Sequence, residues 1–201
     1  YGVPRMNAWV SNGRQRSIVV VGGGFTGASV AVQLLRHGGV ERVTVVEPRV
    51  RVGPGLAYSR SNPDHRLNAP AQRHWIDPRQ PNEFLDWLET SGCLRDDPSA
   101  VSESGSVFAR RRDFGRFLSG IVAGYQSRGE LEHQRSRVVQ VDADPQGGWQ
   151  LSLESGETLG AEAVFLATGN SEPEFPSSVP KALWSRSDVV RDGLDDAALL
   201  E

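Results

Sequence analysis

The run Ser17-Ile18-Val19-Val20-Val21 passes directly into Gly22-Gly23-Gly24-Phe25-Thr26-Gly27, and this junction constrains the fold more than any other stretch of the chain. A continuous β-branched run predicts a strand buried on both faces of a parallel sheet. Behind the glycines, Val30, Ala31, Leu34 and Leu35 share one face of a helix predicted over 27–36, and Gly38-Gly39 supplies its stop. Val43 to Val46 predicts a second buried strand that ends at Glu47-Pro48. Strand, helix and strand form a βαβ unit whose right-handed crossover lays the helix on the sheet.

The glycines carry chemistry as well as geometry. In a G-x-G-x-x-G placed after a strand and before a helix, Gly22 permits the tight turn and Gly24 lets the backbone approach a pyrophosphate. Gly27 allows close contact between helix and sheet. The unpaired amides that open the helix, around Phe25 and Thr26, face the phosphates. Glu47, with Pro48 and Arg49 beside it, sits where a carboxylate accepts hydrogen bonds from ribose hydroxyls with both oxygens. A 2'-phosphate would be repelled there, so the expected dinucleotide is FAD or NAD and not NADP, with Arg49 and Arg51 weighing against that exclusion. Gly53-Pro54-Gly55 lacks a third glycine and a preceding apolar strand, and reads as loop.

Composition narrows the partners. With 201 residues, 38% of them hydrophobic, the chain can bury one core of a single domain. A net charge of -3 gives no general attraction to nucleic acid or to an anionic membrane. The single cysteine, Cys93, excludes an internal disulfide, a CxxC pair and a cysteine zinc site, which fits a reducing, cytoplasmic setting. No apolar run approaches the ~20 residues that span a bilayer, and the start lacks the layout of a secretory signal. Residues 1–16 read as a leader or an expression remnant.

Residues 49–81, rich in Arg, Pro, Asn and Gly, predict a long functional loop. Helices are predicted over about 82–90 and from Asp113, where Phe114, Phe117, Leu118, Ile121, Val122 and Tyr125 keep helical spacing. After Gly129, residues 131–134, 138–142 and 149–153 predict a small antiparallel meander, and 163–167 a last apolar strand that returns to the main sheet. Several other residues take plain readings. His37 and His133 are structural; His65 and His74, with Asp64 and Asp77, are too sparse for a metal site. Trp75 and Trp87 fill core, Cys93 lacks an activating partner, and Arg110-Arg111-Arg112 form a solvated face before a helix more readily than a phosphate grip.

The meander followed by an apolar strand ending in Ala167-Thr168-Gly169-Asn170 resembles the FAD domain of the two-dinucleotide-binding flavoproteins. A plain NAD-dependent dehydrogenase domain would continue with regular βαβ units. Within that group, Gly53-Pro54-Gly55-Leu56-Ala57-Tyr58, His65-Arg66-Leu67-Asn68-Ala69-Pro70, Phe84-Leu85-Asp86-Trp87-Leu88 and Arg111-Arg112-Asp113-Phe114-Gly115 are similar to the bacterial FAD-NAD(P)-binding family, relatives of the N-hydroxylating flavin monooxygenases. The resemblance covers roughly 17–170. It implies an α/β, Rossmann-like three-layer fold, with a parallel sheet, helices on one face and the meander on the other. It further implies FAD as cofactor and NAD(P)H as co-substrate, with Ala167, Thr168 and Gly169 at the cofactor, Leu67 and Asn68 beside the flavin ring, and backbone near Val138 against the adenine. Residues 171–201 would then be a linker toward an NAD(P)H-binding domain, and the chain would be the FAD-binding part of an oxidoreductase. No residue is marked as acid, base or nucleophile. Two other readings stay open: a non-catalytic nucleotide-binding fragment or subunit completed by another chain, and an NAD-dependent dehydrogenase domain.

Overall fold

The computed structural model describes residues 17–170, 176–184 and 186; the leader expected over 1–16 and most of the linker expected over 171–201 lie outside the described residues. Four strands form the main sheet: β1 (Ile18–Val21), β2 (Val43–Val46), β3 (Leu131–Gln134) and β7 (Ala163–Leu166), in the order β3-β2-β1-β7 and all parallel. Three more, β4 (Val138–Ala143), β5 (Trp149–Leu153) and β6 (Thr158–Ala161), make an antiparallel meander. The helices are α1 (Phe25–His37), α2 (Glu83–Thr90) and α3 (Arg111–Ser127).

Side-chain alternation assigns the layers. Val20, Val43 and Val45 face the helices and pack with Ala28 and Ala31 of α1 and Val122 of α3. Val19, Val21 and Val46 point the other way, against Leu151, Leu153 and Ala161 of the meander. Each such residue, fully buried, contributes roughly 1.5–3 kcal/mol relative to exposure, which explains why the two central strands read as unbroken apolar runs. The parallel sheet covered by helices on one face and the meander on the other is the α/β three-layer fold expected.

One strand belongs elsewhere than expected. Residues 131–134 are not part of the meander; they pair in parallel with β2, and the meander's third strand is 158–161. An outermost strand is covered on one face only, so Leu131 is buried while Glu132 is exposed, a pattern that imitates a meander strand. The helices also begin earlier than periodicity suggests: α1 at Phe25 and α3 at Arg111.

Residues 49–81, expected as a long loop, are more than that. With α2 and α3 they close a second core in which Leu67, Ala71, Ile76, Phe84, Leu88, Phe114 and Phe117 are buried. Phe114 is its hub, with ring centroids 4.8 Å from Phe84, 4.9 Å from Tyr58 and 5.6 Å from Phe25. Trp87 joins this core against Phe84 and Phe117. Trp75 does not; it stands 40% exposed, because its neighbours Ile76 and Asp77 take the inward directions. Polar clamps hold the irregular backbone. Arg66 donates through both Nη atoms to Asp97, at 2.9 and 3.0 Å, and Arg110 adds an ion pair at 3.1 Å. Asp77 is fully buried, accepts from the Arg79 amide at 3.0 Å and lies 2.7 Å from His37 Nε2. The Arg79 amide and the His37 ring hold its carboxyl well below the usual carboxylate range.

Candidate functional site

The site grows from the end of β1. Gly22 takes φ 99°, a left-handed value that side chains rarely adopt, and a Cβ there would strike the Ala167 carbonyl. A Cβ on Gly27 would strike the Gly22 carbonyl, so α1 can approach the sheet only with glycine at that position. Gly24 is the N-cap of α1, makes no side-chain cap, and no acidic residue stands in the first turn. The first backbone bond of the helix is from the Ala28 amide to the Gly24 carbonyl at 2.9 Å, which leaves the earlier amides pointing out of the helix end.

Those amides open on a cavity of about 370 Å³. Its lining comes from four segments: Gly22, Gly24, Phe25 and Thr26; Glu47 and Arg49; Pro54 to Tyr58; and Ala167 to Asn170. These are the carboxyl ends of β1, β2 and β7 plus the start of the excursion, the place where open α/β sheets bind ligands. The Phe25 side chain turns into the aromatic core, so this residue offers the cavity its backbone.

Glu47 is 2% exposed. Its Oε2 accepts from the Gly23 amide at 2.8 Å, and its Oε1 accepts from the Arg49 amide at 2.9 Å and from Arg49 Nη1 at 3.2 Å. Each carboxylate oxygen has two acceptor directions, so Oε1 is filled by Arg49 and Oε2 keeps one direction. His133 Nε2 donates to the Glu47 carbonyl at 2.9 Å and fixes the strand end from the far side. Burial pushes the Tyr58 phenol up, against a lowering influence from Arg111, so this residue of the cavity wall is neutral at neutral pH.

Of the residues singled out in the sequence, Gly22, Gly24, Phe25, Thr26, Glu47, Arg49, Ala167, Thr168 and Gly169 meet in this one cavity. Gly27, Pro48, Leu67, Asn68 and Val138 are not in its lining. Gly27 serves the contact of helix and sheet, Leu67 is 4% exposed in the second core, Asn68 is exposed nearby, and Val138 begins β4. The Arg66–Asp97 clamp and the Leu67 amide bond to the Ala109 carbonyl at 2.9 Å set where Leu67 and Asn68 stand. Sequence reasoning passed over Gly55, whose Cβ would lie 3.0 Å from Gly24 Cα, and with it the whole cavity wall from Pro54 to Tyr58. The Gly-Pro-Gly signal was present in the sequence; its contact with the first glycine turn is tertiary.

Arg110, Arg111 and Arg112 correct another expectation. All three are half-buried instead of forming a solvated face: Arg110 pairs with Asp97, Arg111 Nε donates to the Arg66 carbonyl at 3.1 Å, and Arg112 Nη1 to the Ser61 carbonyl at 3.1 Å. Cys93 is buried, with Ser91 Oγ at 3.1 Å. Among the described residues there is no group of three or more His, Cys, Asp or Glu that could hold a metal ion, and no helix is long and apolar enough to cross a membrane.

A family model described as FAD-NAD(P)-binding matches residues 19–171. No curated protein sequence matches the chain significantly. Among solved structures, the chain is similar to OTEMO in complex with FAD and NADP, with a TM-score of 0.52 and 20% identity, covering 81% of this chain and 27% of that one. It is similar to closed cyclohexanone monooxygenase at a TM-score of 0.56 and 16% identity, covering 80% and 27%. It is also similar to oxidized steroid monooxygenase bound to NADP at 0.55 and 20%, covering 81% and 28%. At these identities the likeness is one of fold, and the chain spans little more than a quarter of those proteins.

Proposed function

Because this chain belongs to the FAD-NAD(P)-binding family, we propose that it is the FAD-binding part of an NAD(P)H-dependent flavoprotein oxidoreductase, monooxygenase-like in the intact protein. The observation that carries the reading is the cavity in which the uncapped start of α1, the buried Glu47 and the Ala167-Thr168-Gly169 turn converge. Unpaired helix amides with no acidic residue beside them favour a pyrophosphate. The free acceptor direction on Glu47 Oε2 suits a ribose hydroxyl and disfavours a 2'-phosphate.

In this reading Gly24 and the amides of Phe25 and Thr26 hold the pyrophosphate, Glu47 with Pro48 and Arg49 holds the adenosine ribose, and Ala167 to Gly169 close the opposite wall. Leu67 and Asn68 stand beside the flavin ring, and backbone at Val138 meets the adenine. The chemistry FAD supplies when bound is acceptance of hydride from NAD(P)H and onward delivery of electrons to oxygen or an organic acceptor. The chain's own residues orient the cofactor and keep water from its phosphates. Residues 171–201 serve as the link toward the NAD(P)H-binding domain.

Gly24→Val tests this directly. A Cβ at Gly24 would meet only Gly55 Cα, at 3.7 Å, and the backbone there is extended. The variant therefore folds, yet its side chain fills the cavity. FAD affinity falling by about tenfold or more, with an unfolding midpoint lowered by no more than the few degrees that valine at a helix N-cap costs, supports the reading; equal FAD affinity in both proteins overturns it.

A second reading, a nucleotide-binding module without activity of its own, is favoured by β7. Among the described residues β7 is an edge strand with Phe165 and Leu166 38% and 69% exposed, an apolar edge on which another chain can pair. The two readings separate on whether flavin-loaded protein oxidises NAD(P)H.

A further inference from the structure

A second cavity, of about 480 Å³, adjoins the first, and Arg49, Pro54, Gly55 and Tyr58 line both spaces. Five arginines line it, Arg49, Arg51, Arg60, Arg112 and Arg116, and no carboxylate does. Two of them are paired with carboxylates outside the lining, Arg49 with Glu47 at 3.2 Å and Arg116 with Asp113 at 3.4 Å, and Arg60 is itself engaged. Arg112 is half-buried, and its Nη1 is spent on the Ser61 carbonyl. Arg51 is exposed and has no hydrogen-bond or ion-pair partner among the described residues.

Five guanidiniums around one space repel each other, a cost that the carboxylates outside the lining offset in part and that an anion in the space offsets further. The floor is Gly115 in the first turns of α3, where a Cβ would strike the Tyr58 carbonyl, so the segment carrying Ser59 to Ser61 is held tightly against the helix that carries Arg112 and Arg116. Arginine's planar fork matches phosphoryl oxygens two at a time. A space of this size is that of a small-molecule site and exceeds what a single monoanion fills.

We propose that this arginine-lined cavity is a second anion site, distinct from the groove at the glycine turn, and that it takes a phosphoryl-bearing polyanion. The site requires no occupant in the first cavity, so it stands whether or not the flavin reading does. Two sources share this chemistry: the phosphates of a nicotinamide dinucleotide and a free phosphate compound.

Calorimetric titration of the protein with pyrophosphate tests the proposal, run beside Arg51→Ala and the double variant Arg51→Ala/Arg112→Ala. The expected result is a pyrophosphate site whose affinity falls as salt rises and drops about tenfold or more in the double variant, separate from any binding at the glycine turn, which neither substitution touches. Flavin binding should be retained in that variant, since neither residue lines the groove. Arg51→Ala alone removes an exposed side chain that holds nothing else in place, so it reports on the site even if the double variant folds poorly, and a loss of affinity is expected there too. Displacement of pyrophosphate by NADPH or NADH assigns the site to a dinucleotide, and its absence assigns it to a free phosphate compound. Pyrophosphate binding at equal affinity in all three proteins places the anion elsewhere and overturns the proposal, as does failure to bind pyrophosphate at millimolar concentration. If flavin binding fails while arginine-dependent pyrophosphate binding persists, only the flavin reading falls.

Discussion

Replacing Glu47 separates its structural role from its role toward a ligand. In Glu47→Ala, the buried Gly23 amide loses its acceptor at 2.8 Å, and an orphaned buried donor costs about 1–3 kcal/mol. The Arg49 groups lose theirs too, but Arg49 is exposed and water replaces the carboxylate at little cost. The Glu47 Cγ methylene, which would stand 2.8 Å from a Gly23 Cβ, also leaves a tight corner while the Cβ stays, which brings the total to about 2–4 kcal/mol. For a domain of this size that is a fall in Tm of about 4–16 °C. Glu47→Gln keeps the volume and one acceptor for Gly23, so it should cost only about 1 kcal/mol, while removing the charge that favours a ribose. Urea unfolding followed by tryptophan fluorescence and far-UV dichroism, with an unchanged m-value, measures both. The order of stability expected is Glu, then Gln, then Ala. An Ala variant within 0.5 kcal/mol of the parent would refute the claim that this carboxylate latches the glycine turn.

Phe114→Ala empties the centre of the second core, where the ring meets those of Phe25, Tyr58 and Phe84; equilibrium unfolding should show a loss of about 3–5 kcal/mol. Gly115→Val forces the Tyr58 carbonyl away from α3; calorimetry should show a lower Tm, with the loop of Pro54 to Tyr58 becoming more open to proteolysis. The carboxyls of Asp77 and Asp97 are lowered, by the Arg79 amide first and by Arg66 first, respectively. A lowered carboxylate stabilises the fold above its unfolded pKa of ~3.9, and that contribution fades as pH falls toward the folded value. Stability should therefore be flat with respect to these groups from pH 7 to about 5 and decline below it; Asp77→Asn should shrink that acid-dependent decline, and an identical pH profile in the variant would count against the assignment.

The βαβ unit was legible because Val19 to Val21 and Val43 to Val46 are buried on both sides by layers the sequence cannot hide, and because Gly22 and Gly27 sit where side chains collide. The β3 strand was not, since Leu131 to Gln134 shows the half-exposed alternation of any strand covered on one face. Residues 49–81 were not legible as core for a related reason: Leu67, Ala71 and Ile76 are buried without any repeating period, held by Arg66–Asp97 and His37–Asp77 contacts that join distant segments. The candidate site divides in the same way. Its glycines and Glu47 carry a local pattern; the wall at Gly55 exists only through its approach to Gly24.

The central claim, that the amides opening α1 and the Glu47 corner receive the adenylate half of FAD, is tested most directly by adding FAD to the purified protein, removing the excess and recording the visible absorption spectrum. The account predicts protein-bound flavin bands at one FAD per chain, displaced by excess AMP and absent from Gly24→Val. A colourless parent protein, or one whose flavin survives both AMP and the Gly24→Val substitution, would contradict it.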